Sequence, residues 1–447
     1  MNQSPHTNSH WEARVGIYLW VVVAVFQLPT GAVAQQAILN TLAAQAVAST
    51  QKIDLESMPY TIKSGDFRLL ITPSFGVDWN DNINLSNTSP QQAFILKPLV
   101  QLDASYPITQ VNLLRLNVGV GYDEYLEHSQ YSNWRVQSGS QLSFDTYVKD
   151  VLINLHDRFT YLQDPGNEAL DPGTGDYGYA NNVVGIAVKW DPRNLDLAIG
   201  YDHQNIVPTG TAIETQDGST EIFSGRAGWK FAPTTVAGIE ATYSTTAYNQ
   251  AVLNNNSSYT IGAYGQWHPS EYFSIIPRAG FSIFQFQQTS TSGETVSNSA
   301  GNPVGVLTGQ PLQTSDFDAW YADLTLVHDI TRALSYSLSV GHQIQVGFQS
   351  DAVEDSYVRL GSTWKIIKDL DLHASFLYEH GQEGIGNVAG NLTETYDWYS
   401  GMIDVNRQLT TRLSVGLNSR FTVRSSNSSS FAYTQALVGV HMAYVFE

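Results

Sequence analysis

The stretch "TRLSVGLNSRFTVR" alternates almost without a break. Leu413, Val415, Leu417, Phe421 and Val423 fall on one side, and Arg412, Ser414, Gly416, Asn418, Arg420, Thr422 and Arg424 on the other. Successive side chains of a β-strand point to opposite faces, so this segment has one apolar and one polar face. "ALSYSLSVGHQIQVGF" behaves alike, with Leu334, Tyr336, Leu338, Val340, Ile344, Val346 and Phe348 opposite serines, glycines and glutamines. Strands of soluble sheets commonly run about 5–6 residues. These alternate for about 10 to 15, the length a tilted strand needs to cross a bilayer.

The pattern repeats. "WDPRNLDLAIGY", "FAPTTVAGIEATY", "WHPSEYFSIIPRAGF", "HDITRALSYSLSVGH", "IIKDLDLHASFLYEH" and "RQLTTRLSVGLNSRF" each join a short polar turn to an alternating strand. Most successive copies lie about 40 residues apart, a spacing that could also mark a propeller blade. A blade needs four short strands in that span, whereas only two long ones fit here. The repeat unit is a long β-hairpin. Counting this way gives eighteen strands between Phe67 and Phe446, with connections alternating short and long. An even number of antiparallel strands with short turns at one end and long loops at the other predicts an all-β, up-and-down transmembrane barrel, both ends on the short-turn side.

The N-terminus predicts how such a chain leaves the cytoplasm. Arg14 precedes the apolar run Val15 to Leu28, then Pro29, Gly31 and the small residues Ala32 and Ala34. That is the layout of a cleaved signal peptide over residues 1–34. Residues 35–66 read as a periplasmic segment with a short helix around Ile38, Leu42 and Ala46, and residues 67–447 as the barrel. There is no cysteine, so disulfides and thiolate metal sites are excluded. The net charge of −19 argues against nucleic acid as a partner.

The chain ends "TQALVGVHMAYVFE", apolar at every second position from Ala436 to Phe446. Such an ending resembles the C-terminal recognition signal of outer-membrane proteins, which implies the barrel-assembly machinery as a partner, with Tyr444 and Phe446 as the signal's aromatics. Glu447 follows the Phe, a one-residue departure. At the other end, "SGDFRLLITPSFGVDWNDNINLS" resembles the first hairpin of the β-barrel porin-2-like outer-membrane proteins, whose first strand often ends in Tyr or Trp followed by Asp and Asn. The resemblance extends over the barrel from about residue 60. It implies the outer membrane of a Gram-negative bacterium, and some members of that family are associated with exopolysaccharide systems.

A charge facing lipid costs about 2–4 kcal/mol at the midplane, so charged residues on polar strand faces must look inward. Arg115, Arg158, Arg226, Arg278, Arg359 and Arg420 lie well inside their strands and are the candidate lumen-lining residues. Inward acids include Asp103, Asp145, Asp196, Asp202, Glu240, Asp323, Asp371 and Asp404. Two readings stay open: a basic ladder guiding anionic or sugar-like solutes, or mutually neutralising pairs that brace a wide barrel. Tyr264, Tyr321 and Trp398 are lumen aromatics that either stack on sugar rings or pack on the wall. The acidic loop "DPGNEALDPGTGDYG" reads as solvated, bridged to lipopolysaccharide by divalent ions, and the Asp and Asn residues of "WNDNINLSN" as turn caps.

No HExxH, GxSxG or P-loop occurs. The inward histidines His156 and His373 lack a motif around them, and no enzyme, metal or cofactor is expected. At eighteen strands the interior is wide enough for an aqueous channel. The expected function is passive diffusion of small hydrophilic solutes, with Thr289–Ser315 as the constricting loop. The alternative is a closed or plugged barrel accessory to exopolysaccharide export or surface attachment.

Overall fold

The computed structural model describes residues 59–162, 178–210, 215–250, 253–287, 315–345, 352–384 and 394–446. The signal peptide, the helix around Ile38 and nearly all of the Thr289–Ser315 loop lie outside the described residues. Twenty strands follow in chain order: β1 Ile62–Ser64, β2 Phe67–Asn80, β3 Ala93–Thr109, β4 Asn112–Tyr125, β5 Asn133–Val136, β6 Gln141–Val148, β7 Val151–Leu162, β8 Tyr179–Trp190, β9 Leu195–Pro208 and β10 Gly218–Ala232. The second half comprises β11 Thr235–Tyr248, β12 Asn255–Ser270, β13 Phe273–Gln287, β14 Phe317–Thr331, β15 Leu334–Gln345, β16 Val353–Ile367, β17 Leu370–Glu383, β18 Thr395–Gln408, β19 Leu413–Ser426 and β20 Tyr433–Tyr444.

All of them belong to one antiparallel sheet, and β20 pairs back onto β2 from Ser74↔Ala443 to Asn80↔Leu437. The sheet is therefore a closed barrel without a free edge, as lipid requires of a spanning sheet. β5 and β6 are two halves of one staggered strand, since both pair with β4, on either side of "QSGS". β1 pairs only with the start of β2. Twenty strands less those two give eighteen around the barrel.

β1 lies inside the segment 35–66, so the sheet begins before Phe67. Its position has a structural reason. β20 covers β2 from residue 74 upward, Phe446 bridges to Ile71, and Ile62–Ser64 pairs with residues 67–69. The hairpin thus fills the part of the seam that β20 is too short to reach. The Thr61 hydroxyl donates to the Phe446 carbonyl, tying the two ends of the barrel together.

The alternation read from the sequence is the alternation observed. Along β2 the even positions Leu70, Thr72, Gly76, Asp78 and Asn80 are buried, while Phe75 on the other face is exposed. Around the outer wall Ile199, Ile239, Ile261 and Phe281 are exposed despite being apolar, which suits contact with hydrocarbon rather than water. Exposed Trp190, Trp229, Trp267 and Trp364 lie near the short-turn ends, and Trp134, Trp320 and Tyr399 near the loop ends, as two aromatic girdles. The threonines of the short turns explain how these close. Thr331 Oγ1 accepts from the amides of Ala333 and Leu334, and Thr410 Oγ1 from those of Arg412 and Leu413.

Candidate pore lining and constriction

The six candidate arginines share the polar, inner face but not one side of the barrel. They sit on β4, β7, β10, β13, β16 and β19, distributed around the circumference. Four of them reach carboxylates on nearby strands. Arg115 Nη2 lies 2.5 Å from Asp145, Arg226 Nη2 2.8 Å from Asp196, and Arg359 Nη2 3.9 Å from Glu379. Arg278 grips Glu240 with two nitrogens, Nη2 to Oε2 at 2.7 Å and Nε to Oε1 at 3.1 Å, a charge-assisted, two-point bond. Arg158 Nε donates to Gln141 at 3.4 Å and Arg420 Nη2 to Gln435 at 3.2 Å.

The lumen aromatics pack on the wall. The rings of Tyr264, Tyr321 and Trp398 are buried. Tyr321 of β14 lies flat over Gly280 of β13 and Gly262 of β12, and its hydroxyl donates to Glu240 of β11 at 2.9 Å. A Cβ at either glycine would collide with the tyrosine ring. Tyr357 repeats the arrangement, crossing Gly341 to donate to Asp323 at 2.9 Å. Each ring staples strands that are not direct neighbours. His156 is likewise absorbed into the wall: its Nε2 meets Asp202 at 2.6 Å and its Nδ1 Asn154 at 2.8 Å. His373 meets the Thr363 hydroxyl at 3.1 Å.

The loop after β2 turns into the barrel. Asn82 and Asn84 do cap turns: Asn82 Oδ1 accepts from the Ser86 amide and Asn84 Oδ1 from the Gln91 amide. They also do more. Asn82 Nδ2 donates to the Thr434 carbonyl, Gln435 Nε2 donates to the Asn82 carbonyl, and the Asp81 carboxylate accepts from the Ala436 amide. The loop is thereby clamped to β20. Leu85 takes a left-handed φ of 49°, uncommon for a residue with a Cβ. Its side chain is buried in a cluster with Val353, Tyr396, Trp398 and Tyr433, against which Tyr179 and Leu377 pack. Tyr179 begins β8, eight strands from β16 and almost diametrically opposite. An apolar bridge therefore crosses the lumen near its loop end, built on residues 81–92.

The sequence reading missed this bridge, and it missed Glu379, Glu383 and Glu394, which face Arg359 and Arg424 near the loop end. The signal was present for two of them. In "LYEHGQE" Glu379 and Glu383 keep the spacing of the inward face. The burial of Leu85 had no sequence signal.

A closed, eighteen-stranded barrel with a polar interior, an apolar outer band and two aromatic girdles defines an outer-membrane β-barrel protein. No family model and no curated protein matches the chain. It is similar to solved structures of OccD3 (OpdP) of Pseudomonas aeruginosa, at 10% identity and a TM-score of 0.45 over 85% of this chain and 92% of that one. It is also similar to OccAB3 of Acinetobacter baumannii, at 9% identity and a TM-score of 0.46 over 86% of this chain and 100% of that one. With TM-scores below 0.5, neither carries the assignment, which rests on the chain's own strand pairing.

Proposed function

We propose that the protein is a porin-like channel of the Gram-negative outer membrane, passing small hydrophilic solutes by diffusion. The observation that carries this reading is the state of the inner wall. The side chains of Lys189, Arg278 and Arg359 remain 27, 22 and 31% exposed inside a closed barrel, which calls for water in the lumen. Charged groups lining an aqueous bore act on each passing ion. The paired arginines support mutual neutralisation, so the bore would discriminate weakly by charge along most of its wall. Lipopolysaccharide and the barrel-assembly machinery are the partners this reading requires, and residues 1–34 would be removed on export. Stepwise conductance of the purified protein in planar bilayers tests it; a folded barrel that conducts no ions would refute it.

One observation favours a second reading. The apolar bridge of Leu85, Tyr179 and the β16–β20 aromatics narrows the loop end. A barrel closed there would suit an accessory of exopolysaccharide export or surface attachment, in line with the porin-2-like resemblance of the first hairpin. Conductance that rises only when residues 81–92 are released would favour this second reading.

A further inference from the structure

Asp157 stands on the wrong side of the wall for a charge. Along β7 the side chains of His156 and Arg158 belong to the inner face, so Asp157 faces out, between the exposed Leu155 and Phe159. Its lateral neighbours are Leu142 of β6 and Val184 of β8, both apolar and exposed. Val151, paired with the girdle residue Trp190, begins β7 at the short-turn end. From Val151 to Asp157 the strand climbs about 15 Å, at about 3.3 Å per residue and a tilt of about 40°. That depth is well inside an apolar band about 25 Å tall.

Other outward carboxylates are placed differently. Glu221, Glu354 and Asp397 stand near the loop-end rim, and each meets a histidine: His203, His342 and His380 respectively. Asp157 accepts one bond, from Asn182 Nδ2 at 2.6 Å, and makes no ion pair among the described residues. Hydrocarbon offers it no donor, and an ionisable side chain at this depth is costly to leave to lipid.

The wall beside Asp157 also carries a break in the ladder. Between β5 and β6 the chain turns at Gln137–Ser140, closed by the Ser140 amide on the Gln137 carbonyl, with Gly139 at a left-handed φ of 90°. The turn adjoins β7, because the Ser140 carbonyl accepts from the Phe159 amide and Val136 pairs with Tyr161. Gly139 is exposed, and among the described residues the peptide groups of Ser138 and Gly139 have no hydrogen-bond partner. Irregular backbone at membrane depth is tolerated only where protein or water covers it.

We propose that the outer face of β5–β8 is an interface with a second copy of this chain. The face is complementary to itself. It holds an acceptor, the Asp157 carboxylate, and at a neighbouring level two unpaired peptide donors, the Ser138 and Gly139 amides. A two-fold contact sets residue i against j and j against i. Each carboxylate then reaches the turn of the other protomer, and each turn gains an acceptor. Leu142, Leu155, Phe159 and Val184 surround the polar contact and exclude lipid from it. Such a dimer forms whether or not the lumen conducts.

The test uses the full-length protein in intact outer membranes. The chain has no cysteine, so Val184→Cys on this face and Phe376→Cys, exposed on β17 across the barrel, each install one thiol. A bifunctional maleimide should join Val184→Cys chains into dimers and leave Phe376→Cys chains single. Adding Asp157→Leu to Val184→Cys should weaken association about tenfold or more, the loss of a charge-assisted bond. Glu221→Gln, at the rim, should leave it unchanged. Heat-modifiable migration confirms folding, and Asp157→Asn, which keeps the shape and loses the charge, replaces Asp157→Leu if that variant does not fold. Urea unfolding in dilute lipid vesicles should find the Asp157→Leu monomer at least as stable as the wild-type monomer, because a charge has left the lipid face. A folded Val184→Cys chain that yields no dimer, or a dimer that the Asp157 variant leaves equally abundant, overturns the interface. Equal cross-linking through Phe376→Cys reports crowding in the membrane only and overturns it as well.

Discussion

Gln435 and Asn82 stand 353 positions apart, yet Gln435 Nε2 donates to the Asn82 carbonyl at 2.9 Å. That bond crosses the seam where the last strand meets the first, and it holds the inward loop to the barrel wall. Asn82→Ala would remove its bonds to Ser86 and Thr434. The loss of anchoring should be about 1–3 kcal/mol. Single-channel conductance should rise while heat-modifiable migration stays normal. Unchanged conductance would rule out residues 81–92 as the constriction.

Gly280 lies beneath the Tyr321 ring, and no side chain fits there without displacing it. Gly280→Val should destabilise the barrel by about 1–3 kcal/mol through overpacking. Tyr321→Phe keeps the ring and loses only the bond to Glu240, so it should cost less. Urea unfolding in lipid vesicles, followed by tryptophan fluorescence, ranks the two. The reverse order would mean that the hydroxyl, not the fit of ring on glycine, holds these strands.

Arg226, Arg278 and Arg359 neutralise Asp196, Glu240 and Glu379. Despite the net charge of −19, the wild-type pore should therefore select only weakly between potassium and chloride, because loop charges are screened within about 8–10 Å at physiological salt. Replacing the three arginines together by Gln would expose the three carboxylates and shift reversal potentials toward cations. Strong wild-type cation selectivity that the triple change leaves in place would show that the loops control access.

Tyr444 is paired with Leu413, and the Phe446 amide donates to Ile71 at 3.2 Å, so the last residues complete both sides of the seam. Truncation after Ala443 should leave the chain degraded or stranded in the periplasm, and loss of Glu447 alone should be tolerated. Cell fractionation and heat-modifiable migration read the result. Normal assembly of the truncated chain would remove Tyr444 and Phe446 from the closure argument.

Mass spectrometry of the envelope-localised protein should find Gln35 as the first residue, because Ala32 and Ala34 follow an apolar run of signal length. A chain that keeps Met1 or Arg14 would contradict this.

Strand number, face and direction were legible in the sequence, because a period of two forces a choice of side at every residue and lipid tolerates only one of the two choices. The same rule put Arg226 and Arg278 on polar strand faces, where they meet Asp196 and Glu240. Their partners did not follow. Arg278 meets Glu240 two strands away, and which residues share a level depends on the stagger between strands, which periodicity leaves undefined. The place of Leu85 was still further from reach. "NDNINLSN" determined a capped turn, but whether that turn stood out in water or folded inward was decided by Thr434, Gln435 and Ala436, which lie beside it only because the barrel closes.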